Sequence, residues 1–99
     1  MSEIDHLPAV QHGQWFFAGV TACPVRIVRH DVLYGTHDPE DPPELAGDRS
    51  TECFYIRYHP PGAHEVWHDG GAALSLREAR FLAQRKLGPV VYWSEAVTV

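Results

Sequence analysis

Cysteine, basic residues and long apolar runs are all scarce in this chain, and each scarcity removes a class of protein. Cys23 and Cys53 are the only cysteines among 99 residues, too few and too far apart for the disulfide framework of a small secreted domain. Reduced thiols and a cytoplasmic location are the expectation. No stretch approaches the ~18 apolar residues of a membrane span, and Met1-Ser2-Glu3-Ile4-Asp5-His6 carries acids where a signal peptide has basic residues. No membrane partner is expected. Eight Lys and Arg stand against 13 Asp and Glu, a formal net charge of -5. That balance opposes nucleic-acid binding, whose affinity comes from neutralising phosphates with Lys and Arg.

Signature motifs are missing as well. There is no glycine-rich phosphate loop, nucleophile elbow, repeated C-x-x-C or D-x-D-x-D-G calcium loop, and no internal repeat. What remains is 44% hydrophobic residues, 11% of the chain being aromatic. This is enough for one domain burying somewhat over ~60% of its unfolded surface and too little for two.

The strongest local signal runs from Leu74 to Trp93. Ser75 is placed as an N-cap and Glu78 completes a capping box, an arrangement whose loss costs about 1 kcal/mol. At about 100° per residue, Leu76, Ala79, Leu82, Ala83 and Leu87 gather into an arc of roughly 140°, wide enough to cover a sheet face. Gly88 and Pro89 stop the helix, and Val90-Val91-Tyr92-Trp93 begins a strand.

Upstream, residues 1–12 carry Pro8 and no hydrophobic period, which predicts a flexible lead-in to a single domain over 13–99. Gln14 to Val20 has the composition and length of a strand with little exposure. Thr21-Ala22-Cys23-Pro24 then interrupts it as a hairpin connection. From Val25 to Tyr34 the alternation slips, and a bulge near His30-Asp31 would restore one apolar face. Thr36 to Ser50 is a long loop with three prolines and five acids: Asp38, Glu40, Asp41, Glu44 and Asp48. Loops of that length in a small domain are functional or disordered. Glu52 to His59 alternates cleanly, with Phe54, Ile56 and Tyr58 on one face and Cys53, Tyr55, Arg57 and His59 on the other. Pro60-Pro61-Gly62 and Asp69-Gly70-Gly71 are turn signals, and the residues between them fit a short extended piece or one helical turn.

These elements predict an α+β domain: a four-stranded, mostly antiparallel sheet with one helix on one face, in the order β-β-long loop-β-α-β. Trp15, Phe17, Ile27, Phe54, Ile56, Leu76, Leu82, Leu87 and Val91 form the expected core. Burying each large side chain contributes about 1.5 to 3 kcal/mol before entropy is counted, so folding requires no cofactor.

Three constellations carry possible chemistry. His64-Glu65-Val66-Trp67-His68 satisfies H-E-x-x-H, which on a helix aims two imidazoles at a zinc ion with the Glu as general base. Here prolines and glycines crowd the segment, and Leu74 stands where the extended pattern has its third His, so no catalytic zinc site is expected. His64 and His68 are weak metal candidates at most. A nucleophilic Cys needs an adjacent base or positive charge, and neither Cys23 nor Cys53 has a supporting signature. Phe81 lies opposite the apolar arc, one turn from both Arg77 and Arg85, and Phe with Arg is enriched at the centres of interfaces.

The function expected is therefore a non-enzymatic protein-binding module, such as an inhibitor, subunit or regulator. It would act through Phe81, Arg77 and Arg85, or through Asp38, Glu40, Asp41 and Glu44. The acidic loop suits a basic partner, and Phe81 suits self-association. The alternative is a small metal-dependent or hydrolytic enzyme using the His64 to His68 segment.

Overall fold

The strand with the cleanest alternation lies inside the sheet. In the computed structural model, which describes residues 3–62 and 65–94, five strands are ordered β4-β3-β2-β1-β5 and every neighbouring pair is antiparallel. They are β1 (Ala9–Phe17), β2 (Thr21–Leu33), β3 (Arg49–Tyr58), β4 (His68–Ala73) and β5 (Val91–Trp93). Among the described residues two helices accompany them, the single turn α1 (Pro43–Ala46) and the long α2 (Leu76–Leu87), with a 3-10 turn at Glu3–His6. The domain is α+β, and no described helix is long and apolar enough to cross a membrane.

α2 follows its sequence signals closely. Ser75 has extended backbone and its hydroxyl accepts from the Glu78 amide at 3.1 Å. Gly88, with φ 121°, closes the other end, a conformation side chains resist. Ala79, Ala83 and Leu87 are buried against Trp15, Cys23, Val25, Ile27, Ile56, Ala73 and Val91, while Leu76 and Leu82 pack at the margin. Because side chains alternate along a strand, the neighbours of this set face the other way. There Val28, Cys53 and Tyr55 form a second cluster with Ile4 from the 3-10 turn. The slip in β2 is a register shift between His30 and Val32 opposite β3.

Four expectations are corrected. The sheet has five strands rather than four, because Asp69-Gly70-Gly71 is inside β4 rather than a turn. The reason is a close approach: a Cβ on Gly70 would lie 2.7 Å from Ile56 Cγ2, so glycine lets β4 close over β3. The hairpin turn is Ala18-Gly19, both with positive φ and closed by the Val20 amide donating to the Phe17 carbonyl at 3.0 Å, while Thr21 to Pro24 belongs to β2. Phe17, expected in the core, is 50% exposed because it pairs with Thr21 beside that turn. The acidic stretch contains α1, and its last two residues, Arg49 and Ser50, already belong to β3.

The described part of the expected lead-in holds the 3-10 turn, buried Ile4 and the first four residues of β1.

Candidate functional site

Arg77, Phe81 and Arg85 stand one helical turn apart on the outward side of α2, and all three are exposed, Phe81 at 59%. With Arg80 and Lys86, the helix carries four basic residues, half of the eight Lys and Arg in the chain. Arg80 is half-buried and donates from Nε to Gln11 Oε1 at 3.0 Å, so the exposed basic charge is that of Arg77, Arg85 and Lys86, with one exposed acid, Glu78, in the first turn. Phe81 thus stands between two exposed guanidiniums, Arg77 and Arg85, on a net acidic protein.

The acidic stretch is tied together by its own side chains. The Thr36 hydroxyl donates to Asp41 Oδ2 at 2.6 Å, the Glu40 amide donates to Asp38 Oδ1 at 2.9 Å, and the Gly35 amide donates to Asp48 Oδ1 at 2.9 Å. His37 Nε2 also meets Asp48 Oδ1 at 2.9 Å. Backbone amides of Thr36 and His37 donate to the Leu45 and Ala46 carbonyls, fastening the segment onto α1. Asp38, Glu40 and Glu44 are exposed and Asp41 is half-buried.

The H-E-x-x-H residues are not assembled on a helix. His64 lies outside the described residues, Glu65 and Val66 form an exposed bend, and His68 opens β4 with its ring 5.7 Å from that of Tyr58. Among the described residues no three His, Cys, Asp or Glu are grouped to hold a metal ion. Cys53 is buried, with its thiol 3.3 Å from the Val32 carbonyl. Burial pushes that thiol's pKa up, only partly opposed by a hydrogen bond with Tyr55, which is the reverse of nucleophile activation.

A third constellation is assembled by tertiary structure on the sheet face away from α2. Arg26 on β2 and Arg57 on β3 are cross-strand partners, so their side chains share that face. Asp5 of the 3-10 turn reaches between them. Arg57 donates to both carboxylate oxygens of Asp5, from Nε at 2.7 Å and Nη2 at 3.0 Å, and Arg26 Nη2 donates to the Asp5 carbonyl at 2.9 Å. The side chains of Arg57 and Asp5 are only 9% and 10% exposed. Arg26 lies 4.2 Å over the Trp67 ring, and His59 stacks on that ring at 3.7 Å while its Nδ1 donates to the Val66 carbonyl. Burial holds the Arg26 pKa below its ordinary value; Asp5 opposes the shift and Arg57 adds to it.

Beside this cluster opens a cavity of about 390 Å³. Ile4, Tyr34, Tyr55, Arg57, Asp69 and Ala72 line it. Tyr55 is fixed there, its hydroxyl accepting from the Tyr34 amide and donating to the Val32 carbonyl, each at 2.9 Å. Alternation along β3 is enough to place Tyr55, Arg57 and His59 on one face. No local pattern could bring in Asp5, which is 52 positions from Arg57. No protein-family model, curated protein or solved structure matches the chain.

Proposed function

We propose that the protein is a non-enzymatic protein-binding module whose docking face is the exposed side of α2, with Phe81 as its anchor. The observation that carries this reading is Phe81 standing exposed between Arg77 and Arg85 on a helix whose other side is packed into the core. An aromatic flanked by guanidiniums supplies apolar area to desolvate and charge to orient the partner. Charge complementarity selects the occupant. The same chain carries a basic helix face and an acidic 36–50 segment, so a second copy is the partner that fits, with the loop of one copy against α2 of the other. Opposite fields speed encounter and fix orientation, while affinity comes from burying Phe81.

Sedimentation velocity over a range of protein concentrations tests this. The parent chain should self-associate, and the association should weaken as salt is raised past about 0.1 M, where the Debye length is about 10 Å. Phe81→Ala should weaken it by about 2 kcal/mol, roughly thirtyfold. A loop carrying Asp38→Asn, Glu40→Gln, Asp41→Asn and Glu44→Gln should slow association and remove its salt dependence. If both variants sediment as the parent does in every condition, neither surface is an interface and the reading fails.

A further inference from the structure

On the face away from α2, the sheet holds an uneven set of buried charges beside an open cavity. Two guanidiniums, Arg26 and Arg57, share one buried carboxylate, Asp5, and the three side chains are 13%, 9% and 10% exposed. Buried charges are stable when paired, so one positive charge in this set calls for a second anion. Among the described residues, the further acid that meets the set is a poor match. Asp69 is 73% exposed, its Oδ1 lies 3.8 Å from Arg57 Nη1, beyond hydrogen-bonding distance, and the same oxygen accepts from the Gly71 amide at 2.9 Å.

We propose that the cavity lined by Ile4, Tyr34, Tyr55, Arg57, Asp69 and Ala72 is a binding site for a small organic carboxylate with an aromatic or apolar body. At about 390 Å³ the cavity falls within the roughly 300 to 1,000 Å³ of ligand pockets. Arg57 lines it with Nε and Nη2 committed to Asp5 and Nη2 also donating to the Trp67 carbonyl, which holds the guanidinium plane rigid and leaves the Nη1 edge toward Asp69. A carboxylate entering there takes up the Arg57 Nη1 edge that Asp69 approaches only to 3.8 Å and makes a charge-assisted bond to a desolvated guanidinium. The body of the ligand meets Ile4, Ala72 and the rings of Tyr34 and Tyr55, whose centroids are 6.3 Å apart. Counting charge sets the ligand class. Among the described residues the buried set is short of one negative charge, so a monoanion balances it, whereas a phosphate dianion would place surplus charge beside Asp5 and Asp69. This site is independent of the α2 face, and either proposal can fail without the other.

The test is titration of the full chain in low-chloride buffer with benzoate, followed by amide chemical shifts, with benzyl alcohol and inorganic phosphate titrated in parallel. Benzoate should give saturable shifts centred on the amides of Ala72 and of Gly35 and Gly71, which also line the cavity, and neither control should match its affinity. Asp69→Asn keeps the oxygen that accepts from the Gly71 amide and removes the competing charge, so it should tighten benzoate binding about threefold. Arg57→Lys, with its spectrum used to confirm folding, should weaken binding by at least about tenfold. Absence of saturable shifts, equal binding of benzyl alcohol or phosphate at the same amides, or unchanged or weaker binding in Asp69→Asn would overturn the proposal. The exposed Asp69 variant decides the matter even if the Arg57 variant unfolds.

Discussion

Removing Asp5 should do more damage than its place near the N-terminus suggests. Asp5→Ala deletes the one buried carboxylate that, among the described residues, the cross-strand pair Arg26 and Arg57 shares. Two guanidiniums, each largely withdrawn from solvent and one of them stacked on the Trp67 ring, are then left without it. Breaking a buried pair by removing one partner costs about 3 to 5 kcal/mol, because the remaining charge has lost its solvation and its counterion together. An escape limits the loss. The 3-10 turn can lift away, exposing Arg57 to water while giving up the burial of Ile4, which itself contributes about 1.5 to 3 kcal/mol. The expected loss is therefore about 3 kcal/mol, a large share of the roughly 5 to 15 kcal/mol that holds a domain folded. For a chain of this size each kcal/mol lowers the Tm by about 4 to 8 °C, so the variant should melt at least about 12 °C below the parent. Urea and thermal unfolding measure this. The control is Arg29→Ala, whose ion pairs with Asp31 and Glu52 are exposed and so are screened by water and contribute little. If Asp5→Ala loses no more stability than Arg29→Ala, Arg26 and Arg57 do not depend on a buried counterion.

Gly70→Ala adds a Cβ 2.7 Å from Ile56 Cγ2 and 3.1 Å from the Ile56 carbonyl oxygen. The β3 to β4 contact must open, at a cost of about 1 to 3 kcal/mol by denaturant midpoint, and a neutral result would mean that the approach is not tight. Burial raises the Cys53 pKa above that of an unfolded thiol, so the stability it contributes is fully present below about pH 8.5 and is lost as pH rises through the folded value. Unfolding free energies from neutral pH into mild alkali should fall, with a smaller slope in Cys53→Ala. A slope that Cys53→Ala leaves unchanged would assign the effect to another group. Tyr55, whose pKa burial also raises, contributes in the same direction at higher pH.

The legible parts of the fold are those specified by residues close together in the chain. The cap, the stripe and the stop of α2 lie within one segment, so Ser75, Leu76 to Leu87 and Gly88 state their own structure. Alternation in β3 separates Ile56 from Arg57 in the same way, and the slip at His30 to Val32 is visible as a break in period. The buried charge cluster is legible only in part. Tyr55, Arg57 and His59 can be placed on one face, yet nothing local distinguishes them from side chains meeting solvent. Phe81 is identifiable because its exposure depends on helix phase alone.

The strand β4 is the opposite case, since Gly70 resembles a turn residue until Ile56 is brought over it. The turn after β1 likewise gives little signal, because Ala18-Gly19 is a weaker hairpin sequence than Asn-Gly. Sequence by itself determined the α+β class, the helix with its two ends, and the sheet-facing sides of β3 and α2, because propensity, capping and period act over a few residues. Tertiary structure alone decided that β4 is a strand, that Asp5 crosses 52 positions to Arg57, and that a cavity opens beside them. Each of these depends on atoms that meet only after the chain has closed, and the energy of a buried ion pair or a tight backbone approach exists only in that assembled geometry.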